Sequence, residues 1–144
     1  MTDAGASGRA VVGKPAIGLR RVYDPPDPAD GWRVLVDRVW PRGVARERLR
    51  LDEWLREVAP SGKLRRWFGH DPAKWQAFRA RYFAELDARP EIVARLRAKC
   101  REGPVTLVFA ARDRDHNNAV ALRDYLAAHG GDPGRDGAVR AKPD

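Results

Sequence analysis

Apolar positions along this chain follow two periods. Ile17 and Leu19 are spaced two apart and run into Arg20, Arg21 and Val22, which predicts a first strand over 17–23. Trp32 to Val36 is apolar except for Arg33, and Val105 to Ala110 is apolar except for Thr106. The first predicts a central, buried strand, and the second is the clearest strand in the chain. Between them the spacing turns helical. Leu51, Trp54, Leu55 and Val58 recur at i, i+3, i+4 and i+7, which predicts an amphipathic helix ending before Pro60. Ser61 is placed to cap a short helix with Leu64, Trp67 and Phe68. Asp71-Pro72 opens the next, with Trp75, Phe78, Tyr82, Phe83 and Leu86 on its apolar stripe. Pro90 restarts a helix through Ile92, Val93 and Leu96 that ends near Gly103. Asn117 or Asn118 caps a last one with Val120, Leu122, Tyr125 and Leu126, closed by Gly130.

The order β, β, several α, β, α predicts an α/β fold: a small single domain with a few-stranded, mainly parallel sheet packed with about five helices. The last strand is expected to join the first two as a parallel neighbour through a right-handed helical crossover. The prolines of Asp24-Pro25-Pro26-Asp27-Pro28 exclude a helix between strands one and two, so their mutual direction stays open. The domain is expected over 16–130. Residues 1–15 and 131–144 are rich in Gly, Pro and polar groups with little to bury, and are expected to be disordered tails.

Charge changes this picture. The 144 residues carry 28 Lys and Arg against 20 Asp and Glu, a formal net charge of +8. The tails contribute only Asp3, Arg9, Lys14 and a C-terminal stretch that sums to zero, so about +7 belongs to the folded core. Such a surface favours anionic partners, although an arginine-rich, Ala/Gly/Pro-rich composition also follows from a GC-rich genome. The lone cysteine, Cys100, excludes an internal disulfide and a cysteine-built metal set, and reads as a small core residue. No run approaches a membrane span, and Met1 to Pro15 lacks an apolar leader. The expectation is a cytoplasmic protein with no membrane partner, no cofactor and no metal.

Candidate chemistry gathers at two strand ends. After the second strand come Asp37, Arg38, Trp40 and Arg42, followed by Gly43. An arginine at a sheet edge binds phosphate or carboxylate bidentately, and a neighbouring aspartate orients it or acts as an acid/base group. A structural ion pair pinning the turn is the alternative. After the third strand come Arg112-Asp113-Arg114-Asp115-His116-Asn117-Asn118, which opens on the same edge if the strands are parallel and ends at a helix N-terminus. The segment from Ser61 to His70 supplies a third wall. There Ser61 is a cap or a ligand contact, His70 an acid/base candidate, and Arg65 and Arg66 a solvated basic face. P-loop, dinucleotide-binding, zinc-protease and nucleophile-elbow spacings are absent from the sequence.

The strings Arg21-Val22-Tyr23-Asp24 and Asp30-Gly31-x-Arg33-Val34-Leu35-Val36-Asp37-Arg38-x-Trp40-Pro41-Arg42-Gly43 resemble the YeaO-like proteins, domain of unknown function family 488. Ala59-Pro60-Ser61, Trp67-Phe68-x-His70-Asp71, Tyr82-Phe83-x-Glu85-Leu86 and Thr106-Leu107-Val108 extend the resemblance over about residues 17–129. It implies a compact α/β domain and names no reaction. Relatives often read Asn-His-Ala where this chain reads Asn117-Asn118-Ala119, which favours Asn117 over a histidine as the functional residue of that loop.

The expected function is therefore binding of a small anion, a nucleotide or phosphorylated metabolite, with turnover left open. Asp37 and His70 are the catalytic candidates. Arg38, Trp40, Arg42, Ser61 and Asn117 are the binding candidates. The alternative is a basic nucleic-acid-binding or regulatory module, although Trp54, Trp67 and Trp75 lie on apolar stripes rather than on a free stacking surface.

Overall fold

Each apolar run builds its strand, and the four strands form one parallel sheet. The computed structural model describes residues 17–128, so the expectations for the tails and for Gly130 lie outside the described residues. The strands are β1 (Ile17–Arg21), β2 (Trp32–Leu35), β3 (Glu53–Trp54) and β4 (Val105–Phe109), in the order β1-β4-β2-β3. β4 lies in the middle, with Leu107 facing both Leu19 and Val34 across the ladders. The expected parallel neighbour thus sits between the first two strands and makes them parallel to each other. The Val36 N–H donates to the Val108 carbonyl (3.0 Å) and carries the β2–β4 ladder one residue beyond the strand.

Gly31 sets the entry into β2. Its φ is 68°, and an added Cβ would lie 2.3 Å from the Pro104 carbonyl oxygen. Only glycine lets the backbone come that close and lets Trp32 N–H reach that oxygen at 3.0 Å.

Because side chains alternate along a strand, the sheet has two different faces. On one, Val34, Val36, Val105, Leu107 and Phe109 pack against the helices α2 (Gly62–Phe68), α3 (Trp75–Asp87), α4 (Pro90–Glu102) and α5 (Asn118–Ala128). On α3, Phe78, Tyr82 and Leu86 are buried at i, i+4 and i+8, and Phe78 stacks on Phe68 at 4.3 Å between centroids. Each such side chain contributes roughly 1.5–3 kcal/mol by leaving water. On the thinner face, Leu35 and Val108 meet Val22, Val44 and Leu49, the last from the four-residue helix α1 (Arg46–Leu49).

The structure corrects the expectation for 51–58. This stretch is not a helix but the two-residue edge strand β3 followed by a 3-10 turn at Arg56–Val58. Helical spacing and a half-buried edge place the same residues inward over so short a span. The sheet decides between them, because Asp52 N–H donates to the Arg33 carbonyl (2.8 Å) and Leu55 N–H to the Leu35 carbonyl (2.9 Å). Helix α1 was not foreseen, since one turn carries too few apolar positions to show a period.

Candidate functional site

The carboxyl ends of β2 and β4 lie side by side, and the chain leaves them toward opposite faces. After β2 it turns to α1 on the thin face, and after β4 to α5 on the helical face. In open α/β sheets the crevice at such a divergence is where ligands bind. A cleft of about 750 Å³ opens here.

Three segments wall it. Asp37 to Pro41 come from the turn after β2. Ala110 to Asp113, with Asn117 and Asn118, come from the loop after β4 and the first residue of α5. Arg65, Arg66, Phe68 and His70 come from α2 and the turn beyond it. Pro60 and Phe78 complete an apolar wall beside Phe68.

The loop after β4 is held from several sides. Arg21 donates from Nε to the Ala111 carbonyl (2.8 Å) and from Nη2 to that of Ala110 (3.2 Å). Arg114 forms two hydrogen bonds with Asp24, at 2.8 and 3.0 Å, and its guanidinium holds the Asp24 carboxyl down at about 2. Asn117 accepts from Val120 N–H (2.9 Å) and donates to the Asp113 carbonyl (2.8 Å), which makes it the cap of α5.

Asp37 ties the walls together. Its Oδ2 accepts from Ala110 N–H (3.0 Å) and its Oδ1 from Asn118 Nδ2 (3.1 Å), which also donates to the Val36 carbonyl (3.1 Å). Burial pushes the Asp37 carboxyl above the usual aspartate range, against those hydrogen bonds and the nearby charges of Arg65 and His70. These bonds anchor the loop after β4 rather than orient an arginine.

Arg38 differs from its neighbours. Its Nε is buried and has no hydrogen-bond partner. Arg65, Arg66 and Arg112 share the same cleft. The acid beside them is occupied, because Asp113 accepts from Asp115 N–H, His116 N–H and His116 Nδ1 at 2.9–3.1 Å. The cleft therefore presents guanidinium groups in excess of free carboxylates. His70 lines it from a left-handed backbone conformation (φ 57°) in the turn after α2.

Two candidates lie outside the cleft. The turn at Pro41–Gly43 (Gly43 φ 75°) carries Arg42 into solvent, away from the lining. Ser61 caps α2 by accepting from Leu64 N–H (3.1 Å), and its hydroxyl donates to Glu85 Oε2 at 2.6 Å. It positions the helix that brings Arg65 and Arg66 to the cleft. Trp40 lines the cleft with one edge, packs edge-on against Trp54 (5.4 Å) and donates to the Val44 carbonyl (2.7 Å). His116 stays outside, bound to Asp113 and set against Trp75.

The sequence reading has Arg65 and Arg66 on a solvated basic face and Arg112 to Asn118 at the second strand end. The three arginines are exposed and also line the cleft. What the sequence did not show is the Asn118 bond to Asp37 that joins two of the walls. Among the described residues no three His, Cys, Asp or Glu side chains gather to hold a metal ion, and no helix is long and apolar enough to cross a membrane.

A family model described as the inactive DUF488-N3 subclade matches residues 16–139. The chain is 41% identical over 110 residues to the uncharacterised protein YeaO of Escherichia coli K12, covering 76% of this chain and 96% of that one. It is 40% identical over 108 residues to uncharacterised proteins of Mycobacterium bovis and Mycobacterium tuberculosis, covering 75% of this chain and 91% of each. No solved structure matches it significantly.

Proposed function

The chain belongs to the YeaO-like DUF488 family, and from that premise we propose that it binds a small phosphorylated ligand, a nucleotide or sugar-phosphate-like anion, without turning it over. The observation that carries this reading is Arg38. A buried guanidinium nitrogen left without an acceptor costs about 1–3 kcal/mol, and here it sits at the rim of a cleft with three further arginines. An anion that draws the Arg38 guanidinium toward it supplies the missing acceptor. The apolar wall of Pro60, Phe68 and Phe78 is suited to the ring or chain that bears the anion.

Binding without chemistry fits three features. The matched subclade is described as inactive. Among the described residues lining the cleft no side chain carries a hydroxyl, thiol or amine, and both of its carboxylates already accept hydrogen bonds within the protein, which leaves His70 as the one free candidate nucleophile. Asp37, the acid/base candidate, already accepts from Ala110 and Asn118 with its two oxygens. His70 is then a ligand contact rather than a proton carrier.

Thermal melts with AMP, glucose 6-phosphate and orthophosphate, each against chloride at matched ionic strength, test this reading. A ligand at a hundred times its Kd stabilises by about 2.7 kcal/mol, so a clear rise in Tm is expected for the phosphorylated compounds and its loss in Arg38→Ala. No rise with any of them at millimolar concentration overturns the proposal. Binding of oligonucleotides with a steep salt dependence, with no response to small ligands, supports the nucleic-acid alternative instead.

A further inference from the structure

Arg38 lines two cavities. Beside the larger cleft lies a second of about 410 Å³, lined by Arg38, Arg56, Glu57 and Arg89. A guanidinium has five donors on two usable edges, and one arginine can serve an anion on each side. Arg38 is the residue in this position whose Nε the protein leaves unpartnered.

Hydrogen bonds fix the Arg89 side of the second cavity, while Arg56 and Glu57 on its lining are exposed. Arg89 donates to the carbonyls of Glu57 (2.7 Å) and Ala59 (2.8 Å), which fixes the segment leading to Pro60 at the rim of the larger cleft. Glu85 lies 3.8 Å from Arg89 and accepts from both Ser61 N–H and its hydroxyl, so the same network sets the start of α2. Arg56 lies over the Trp54 ring at 4.8 Å, and the indole of Trp54 donates to the Asp37 carbonyl (2.8 Å), next to Arg38. Two guanidinium groups and Arg38 face one carboxylate, Glu57.

Resting on the anion-binding reading above, we propose that the ligand carries two phosphate-type groups joined by a short link, one on each side of Arg38. The larger cleft holds the first with Arg65, Arg66 and Arg112. The smaller holds the second with Arg56 and Arg89. Arg38 serves both, which makes it the residue on which the distinction between one and two anionic groups depends.

Calorimetric titration of the full chain with orthophosphate, pyrophosphate and tripolyphosphate at constant ionic strength tests this. Pyrophosphate or tripolyphosphate is expected to bind at least about tenfold more tightly than orthophosphate. Arg56→Ala should lower pyrophosphate affinity by a larger factor than orthophosphate affinity and so remove most of that advantage, whereas Arg65→Ala should weaken every probe. Arg48, exposed on α1 and outside both cavities, is the charge control. If Arg48→Ala lowers pyrophosphate affinity as much as Arg56→Ala, the advantage is long-range charge and the inference is overturned. Equal affinity for the one- and two-phosphate probes also overturns it, while the reading of the larger cleft stands. Absence of binding by all three probes overturns both.

Discussion

Two aspartates flank β2, each two residues from its end, and the protein treats them in opposite ways. Asp30, before the strand, meets guanidinium groups directly, with Arg33 Nη1 at 2.6 Å and Arg20 Nε at 3.0 Å. Asp37, after the strand, meets only neutral donors, Ala110 N–H and Asn118 Nδ2. Burial pushes the Asp30 carboxyl up, but the Asp27 N–H, Arg20 and Arg33 outweigh it and hold the group below the usual range. At Asp37 burial prevails and the carboxyl lies above that range. Arg33, in turn, donates from Nε and Nη2 to the Leu49 carbonyl, so the amino end of the strand is a closed network. At the carboxyl end, Arg38 retains an unpartnered buried nitrogen. A closed network holds a fold. An unpartnered donor at a cleft is what the anion proposed above would satisfy.

The largest effect is expected from breaking the closed end. Arg33→Ala leaves Asp30 buried beside Arg20 alone and strips the Leu49 carbonyl of two donors. Loss of one partner of a buried pair costs about 3–5 kcal/mol, read as a lower urea midpoint. Arg33→Met, which fills the space without charge, should recover part of that loss. A loss below 1 kcal/mol for Arg33→Ala would mean the amino end is no more structural than the carboxyl end.

Asp37→Ala comes next. It leaves Ala110 N–H and Asn118 Nδ2 without their acceptor, at about 1–3 kcal/mol, and frees the loop that walls the cleft. Faster amide exchange of Ala110 and of the start of α5 should accompany the loss. Arg38→Ala stands lower still. With no ion pair to break and one unpartnered nitrogen removed, it should shift stability by no more than about 0.5 kcal/mol while removing the ligand-induced rise in Tm. Destabilisation by Arg38→Ala to the extent of Arg33→Ala would erase the contrast between the two ends.

The same contrast explains what the sequence revealed and what it hid. The strands were legible because apolar runs of five or six residues have one use in a small α/β domain, and β2 (Trp32–Leu35) and β4 (Val105–Phe109) form within the runs read over 32–36 and 105–110. The Ser61 cap and the Asp71-Pro72 start were legible because capping is local chemistry, settled within three residues. The stretch 51–58 was not, because strand or helix there depends on Arg33 and Leu35, which are close in space and distant in sequence. The Asp37–Gly43 string lies at the strand edge where the cleft opens, but it does not give the direction of each side chain. The turn closed by Val44 N–H on the Pro41 carbonyl carries Arg42 into solvent, while Arg38, ahead of that turn, lines the cleft. The Ser61–His70 segment was read as a third wall, and the packing of Phe68 on Phe78 is the contact that seats it, which no local pattern encodes.

The smallest expected effect tests the comparison most directly, because the two aspartates predict opposite pH dependence. Asp30 is held below its unfolded value of roughly 3.9. Its contribution is present above that pH and is lost as pH falls through the lower, native value. Asp37 lies above its unfolded value, so the native state binds its proton more tightly than the unfolded chain does. Its contribution is full below the unfolded value and is lost as pH rises through the native one. Asp37→Asn removes this titration and leaves that of Asp30 in place. The amide keeps one acceptor and replaces the other with a donor, a fixed penalty that does not depend on pH. In urea denaturation from pH 4 to pH 8, the stability of the wild-type chain over Asp37→Asn should therefore shrink as pH rises. A constant difference would mean that Asp37 has an ordinary carboxyl. A difference that grows with pH would mean that its carboxylate is favoured by the fold as that of Asp30 is, and the two ends of β2 would then follow one rule.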